Sequence, residues 1–137
     1  MSGTTHVAAG VLIAQSTGNP GLGFLLGVAS HVAMDTIPHE EFFSWKVEFV
    51  LVLILIGFVT FFTYPPSTVL LLTILGAVGP DLEIVLWKSG ALTRNQLLFP
   101  THSGLIPQGQ SDSMIYALLQ VAIIGTGIGV ILSHYLL

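Results

Sequence analysis

Apolar residues run along this chain in long unbroken stretches rather than in alternation. Gly, Pro and Asn punctuate the stretches, and cutting there predicts five helices at roughly 5–17, 20–36, 46–63, 67–88 and 112–136. Strands are the rival for short apolar runs, but these runs do not alternate and their total is too small for a closed barrel. A helix needs about 20 residues to cross a hydrocarbon core, so the third, fourth and fifth segments have the length or nearly so. The first two are shorter. Gly18-Asn19-Pro20-Gly21 joins them in a turn tight enough for an antiparallel hairpin. The expectation is one all-α domain over residues 1–137, an integral membrane bundle of about five helices whose first two form a short hairpin.

Composition agrees with that pattern. Of the 137 residues, 53% are hydrophobic and 7% charged, with mean hydropathy +0.88. A soluble domain carries about 25% charged residues. The same figures exclude a disordered chain. The net charge of −4 leaves only Lys46, Lys88 and Arg94 as cations, with no basic cluster, which argues against nucleic acid as a partner. The absence of cysteine removes disulfides, thiolate metal sites and cysteine nucleophiles, so any metal is held by nitrogen and oxygen. No Lys or Arg precedes the first apolar run, so that run lacks the charged start of a signal peptide and is expected to be part of the fold.

Counting alternate crossings puts the 36–46 connection and the 88–112 loop on one face, with Gly18–Gly21 and Tyr64–Ser67 on the other. All three Lys and Arg residues fall on the first face, which the positive-inside rule makes cytoplasmic in a bacterial or archaeal cytoplasmic membrane. Trp45 beside Lys46 and Trp87 beside Lys88 read as interfacial anchors. Glu40, Glu41 and Glu48 with Lys46 read as a solvated connection and an interfacial ion pair. Two small-residue pairs, Gly23/Gly27 and Gly125/Gly129, are candidate helix-packing seams.

The ionisable residues are not scattered over this scheme. His6, His31, Asp35, His39, Asp81, Glu83 and His102 all map to the same face, although sides were assigned from helix order alone. His134 lies on the other face and reads as a surface or interfacial histidine. His31 and Asp35, four apart, share a helical stripe with Gly23 and Gly27 below them. Imidazole plus carboxylate suits Zn, Mn or Fe, and the competing reading is a His–Asp pair that satisfies itself. A carboxylate such as Asp81 within an apolar helix is costly and marks a functional site by default. Gly79-Pro80 just before it kinks the helix. Thr101 and Ser103 flank His102 and are placed to orient its second nitrogen, or are ordinary turn residues.

Thr5-His6, SHVAMDTIPH at 30–39, GPDLE at 79–83 and THSG at 101–104 together resemble the small bacterial and archaeal membrane-bound metal-dependent hydrolase family, and more distantly the helical zinc-dependent phospholipases C. The resemblance covers most of the chain. It implies His6, His31, Asp35, Asp81 and His102 as metal ligands, with His39 as an addition and Thr5, Thr101 and Ser103 supporting them. Two departures stand out. Glu83 takes the place of a second Asp, and Leu98-Phe99-Pro100 replaces a His-Arg-Gly segment.

The function expected on this basis is metal-dependent hydrolysis of a lipid-linked ester or phosphoester at the membrane–water boundary. Zn is the first choice of cofactor, Mn or Fe the alternatives, and a membrane lipid or lipid-linked molecule the partner. Asp35 is the expected bridge between ions and Glu83 the candidate general base, although residues 81 and 83 face different ways unless Gly79-Pro80 has broken the helix. Two other classes compete: a metal or proton transporter, which needs polar groups through its full thickness, and a scaffold with a closed structural metal site.

Overall fold

A computed structural model describes residues 1–39, 41 and 43–136, with side chains described as far as Ser133. Among these residues every element is helical: α1 (Gly3–Ala14), α2 (Pro20–Thr36), α3 (Trp45–Phe62), α4 (Thr68–Val78), α5 (Asp81–Lys88), α6 (Pro100–Ser103) and α7 (Met114–Leu136), with a 3-10 turn at Arg94–Gln96. The expected first, second, third and fifth helices correspond to α1, α2, α3 and α7. The fourth is divided. Gly79 and Pro80 bend α4 from α5 by 49°, because Pro80 has no N–H to continue the ladder. The 88–112 loop contains the 3-10 turn and α6.

Capping residues set the helix starts. The Ser2 hydroxyl accepts from Thr5 N–H, Asn19 Oδ1 from Leu22 N–H at 3.0 Å with Pro20 next in line, and Ser67 Oγ from Leu70 N–H at 3.1 Å. α2 ends before Ile37-Pro38, where the residue preceding proline is extended.

The short first helix is the centre of the molecule. Thr5 through Val11 are buried, and α2, α3, α4 and α7 all pack on α1. Its small residues permit this. A Cβ on Gly10 would sit 3.0 Å from the Ile74 backbone, and one on Gly127 of α7 would sit 3.0 Å from Ala8 Cβ. At 12 residues, α1 is about 18 Å long and falls short of a hydrocarbon core. α2 packs on α4 along the Gly23/Gly27 seam: a Cβ on Gly23 would strike the Thr73 hydroxyl, one on Gly27 the Thr73 carbonyl, and one on Gly76 the Phe24 carbonyl. Gly125 and Gly129 meet nothing within 4 Å; the α7 seam runs through Gly127 instead.

Val7, Val11, Val59, Leu70, Ile74 and Ile131 form the main apolar core. Much apolar side-chain surface faces outward, including Leu25 at 65%, Ile54 at 61%, Phe61 at 73% and Val121 at 62% exposure. α3 and residues Met114–Ser133 of α7 are long and apolar enough to cross a membrane, and α4 with α5 makes a third such unit if the bent pair is one span.

The Glu48 carboxylate accepts from both the backbone N–H and the hydroxyl of Thr4, each at 2.9 Å. It caps α1 rather than pairing with Lys46, which lies over the Trp45 ring at 5.7 Å. Glu40 and the side chain of His134 lie outside the described residues.

Candidate metal centre

Five of the expected ligands converge. His6 comes from the second turn of α1, His31 and Asp35 from the last turns of α2, Asp81 from the first residue of α5 and His102 from α6. His6, His31, Asp35 and His102 are buried, and Asp81 is partly open. His31 Nε2 lies 3.4 Å from His102 Nε2, 3.2 Å from Asp35 Oδ2 and 3.8 Å from Asp81 Oδ1. His102 Nε2 lies 3.7 Å from Asp35 Oδ2 and 3.8 Å from Asp81 Oδ1. His31, Asp81 and His102 thus form one group whose ligand atoms lie within 4.8 Å of one another, and Asp35 belongs to another with His6 and His31. Ligands about 2.0–2.1 Å from a zinc ion in a tetrahedral site would be about 3.3–3.4 Å apart, so the 3.8 Å separations to Asp81 are slightly wider than a closed site.

Hydrogen bonding fixes the tautomer of His31. Its Nδ1–H donates to the Ala77 carbonyl at 2.7 Å, which leaves the Nε2 lone pair aimed into the cluster when the ring is neutral. That carbonyl belongs to the last turn before the Gly79-Pro80 break. Across the break, Leu82 N–H and Glu83 N–H bond three residues back, to Gly79 and Pro80, at 3.0 Å each. The bend also brings Asp81 to the cluster as the start of a new helix.

Asp35 is the hub. Oδ2 accepts from the Thr101 hydroxyl at 2.8 Å and lies 3.5 Å from Gln108 Nε2. Oδ1 meets His6 Nε2 at 3.1 Å and the Met1 amino nitrogen at 2.7 Å. His6, His31 and Asp35 thus form a second potential metal-holding group that shares His31 with the group of His31, Asp81 and His102, and the rings of His6 and His31 stack at 4.0 Å.

The residues fit a divalent ion by two tests on their own atoms. Side-chain atoms His6 Nδ1, Asp81 Oδ2 and His102 Nδ1, each on the far side of its group from the converging atoms, are buried without a hydrogen-bond partner, so the cluster does not satisfy its polar atoms by itself. The donor set of imidazole nitrogens and carboxylate oxygens is that of Zn, Mn or Fe sites. Burial and the neighbouring His31 push the His102 pKa below its ordinary value, favouring the neutral ring that donates a lone pair.

The other expected residues fall around this core. Glu83 accepts from the backbone N–H groups of Leu98 at 3.1 Å and Phe99 at 3.0 Å, and its Oε2 stands 3.6 Å from His102 Nδ1. Thr101 supports Asp35 rather than the second nitrogen of His102. Ser103 is exposed and donates to the Pro100 carbonyl at 3.3 Å. The Thr5 hydroxyl meets Ser2 Oγ at 2.6 Å and Gln120 Oε1 at 3.4 Å, one layer beneath the cluster. His39 stands apart from the converging ligands. Its Nδ1–H donates to the Ile37 carbonyl at 2.8 Å, burial lowers its pKa, and the residue bridges to Gln110 on the wall of a polar cavity.

Several contributors carry no signal in the sequence. Gln108 and Gln120 look like ordinary polar residues. The loop that carries Gln108 is tied to the end of α2 by Gly109 N–H donating to the Asp35 carbonyl at 2.9 Å, and a Cβ on Gly109 would lie 2.6 Å from the Ile37 backbone. Phe99 sets its ring edge-on to His31 at 5.1 Å and 5.3 Å from His102, as an apolar wall.

Two cavities flank the cluster. A polar one of about 600 Å³ is lined by Asp35, Asp81, His102, Thr101, Lys88 and Arg94 among others; a mainly apolar one of about 490 Å³ lies between α3 and α5. Compared with protein-family models, curated proteins and solved structures, the chain matches none.

Proposed function

We propose that this protein is an integral membrane, metal-dependent hydrolase of the small membrane-bound family its motifs resemble, acting on a lipid-linked ester at the membrane–water boundary. One observation carries the reading: His31, Asp81 and His102, from three separate segments, bring three ligand atoms within 4.8 Å of one another beside a polar cavity that Asp81 and His102 line, and His31 also joins a second such group with His6 and Asp35. The outward apolar surface of α2, α3 and α7 supports a bilayer setting, since soluble monomers rarely expose large contiguous apolar patches.

A divalent ion, Zn first, would supply Lewis acidity, drawing electron density from the substrate oxygen and acidifying water. The chain's own groups do the rest. The Ala77 carbonyl holds His31 in the tautomer that presents Nε2. Glu83 faces the outer nitrogen of His102, in the manner of a carboxylate behind a metal-bound histidine, and acts on the reaction through that ring. Phe99 keeps water from one side. Lys88 and Arg94, on the polar cavity wall, meet a negative group of the substrate.

A closed structural clip is supported by Asp35, which already has Thr101, His6 and the Met1 nitrogen as partners. Against it, Asp81 and His102 line the cavity, whereas a clip would be sealed. Transport has less support, because beneath the cluster the core is Val7, Val11, Val59, Leu70, Ile74 and Ile131. The test is release of the alcohol or phosphate product from lipid esters and phosphoesters by zinc-loaded protein in detergent. The expected result is turnover in the wild type that His31→Ala abolishes; turnover that survives His31→Ala would overturn the assignment.

A further inference from the structure

We infer that the apolar groove between α3 and α5 binds the single hydrocarbon chain of an amphiphilic ligand, whose polar end enters the chamber beside His102; this builds on the hydrolase reading and adds the ligand's class. The groove exists because of the break at Gly79-Pro80. The 49° turn swings α5 out of line with α4, and the space beside α3 is left as a cavity of about 490 Å³ walled by Phe49, Leu53 and Ile56 on one side and Leu82 and Val85 on the other. That size is within the range of small-ligand sites, about 300–1,000 Å³.

Three features distinguish it from an incidental crevice in a lipid-facing surface. The groove and the polar chamber share Met1, Glu41, Asp81, Ile84 and Lys88 as wall residues, so one molecule can lie in both. Asp81 is the residue at their junction that also belongs to the ligand group, and its buried Oδ2 has no hydrogen-bond partner. The chamber carries Lys88 and Arg94 beside the carboxylates Asp35, Glu41 and Asp81, while the groove away from the shared residues is walled mainly by aliphatic and aromatic side chains. Apolar chain at one end and oxygen-rich, anionic group at the other is the chemistry of a single-chain phospholipid.

The probe is lysophosphatidylglycerol with a photoreactive diazirine at mid-chain, applied to the full chain in phosphatidylcholine nanodiscs, with labelled peptides located by mass spectrometry. Labelling of residues 49–56 and 82–85 is expected to saturate and to be displaced by excess unlabelled lysophosphatidylglycerol. Leu53→Trp on α3 and Val85→Trp on α5, which fill the groove from opposite walls, each lower it by about tenfold. Labelling of Leu118 and Val121 on α7 stays unsaturable and unchanged, which also reports that the variants remain folded. Uniform labelling of α3, α5 and α7 without competition, or unchanged labelling in both variants, would overturn the inference and leave only bulk lipid in the groove. The readout needs no turnover. Saturable labelling without hydrolysis of any lipid ester upholds the groove and removes the hydrolase reading, while equal hydrolysis by wild type and Val85→Trp removes the groove and leaves that reading standing.

Discussion

Asp35 and His102 lie 67 positions apart in sequence and 3.7 Å apart in space, and each offers the cluster something the other cannot. Asp35 has two oxygens working in different directions, so its removal strands His6, His31 and Thr101 together. Asp35→Asn keeps the shape and loses the charge, and it is expected to lower metal content to background while the protein still elutes as a folded species; metal analysis beside size-exclusion chromatography checks this. Glu83 behaves differently because it touches the cluster only through His102. Glu83→Gln is expected to retain metal yet lose about 10–100-fold in activity or metal affinity, as second-layer substitutions do. A Glu83→Gln variant with full activity and affinity would show that the 3.6 Å approach to His102 has no chemical consequence.

At this scale the sequence was informative about residue types and silent about partners. The spacing of His31 and Asp35 announced a shared stripe, and the carboxylate of Asp81 in an apolar run marked it as a candidate site residue. Nothing in the sequence pointed Gln108 at Asp35 or Phe99 at His31, since both arrive on an irregular loop whose path is set by long-range contacts such as Gly109 against Ile37. Thr101 was expected behind His102 and instead serves Asp35, because α6 turns its hydroxyl toward the end of α2.

Among the elements, the α2–α4 contact is the least forgiving. Gly27→Val would drive a branched side chain into the Thr73 carbonyl and Ala77 nitrogen, backbone atoms that cannot step aside. Its cost is expected at about 3 kcal/mol or more, read as a lowered unfolding midpoint in detergent. Gly125→Ala and Gly129→Ala, which meet open space, are expected to stay within about 0.5 kcal/mol of wild type. Both pairs have the same i, i+4 spacing, so periodicity alone could not separate them; the difference is that α4 presents Gly76 and Thr73 to the first pair. The division of α4 from α5 was partly legible, because Gly79-Pro80 announces a kink, but the pattern of apolar residues runs through it without change. Pro80→Ala is expected to straighten the junction and draw Asp81 away, weakening metal affinity while His31 and Asp35 remain in place; an isothermal titration with zinc measures it.

In the whole molecule α1 is a buried central post, packed on α2, its expected hairpin partner, and on α3, α4 and α7 as well. Length was legible here and position was not: a 12-residue apolar helix with Ala8, Ala9 and Gly10 reads as short, and only packing reveals that those small residues let four neighbours close around it. The all-helical class followed from unbroken apolar runs. The gathering of the ionisable residues followed from counting helix directions, and His6, His31, Asp35, Asp81 and His102 do meet at one end. The lack of cysteine makes the membrane arrangement simple to probe. Single substitutions Ser89→Cys near the site and Ser67→Cys in the α3–α4 turn, both at exposed positions, are expected to react with an impermeant maleimide from opposite sides of sealed vesicles. Labelling of both from the same side would contradict the crossing scheme.

If segments far apart in the chain build one metal centre, elemental analysis of the purified protein will show it. Wild type, Asp35→Ala and His102→Ala are loaded with zinc under identical conditions, exchanged into metal-free buffer and measured for bound metal per chain. Near-stoichiometric zinc is expected in the wild type and its loss in both variants, with each still folded by circular dichroism. No retained zinc in the wild type, or full retention in either variant, would contradict it.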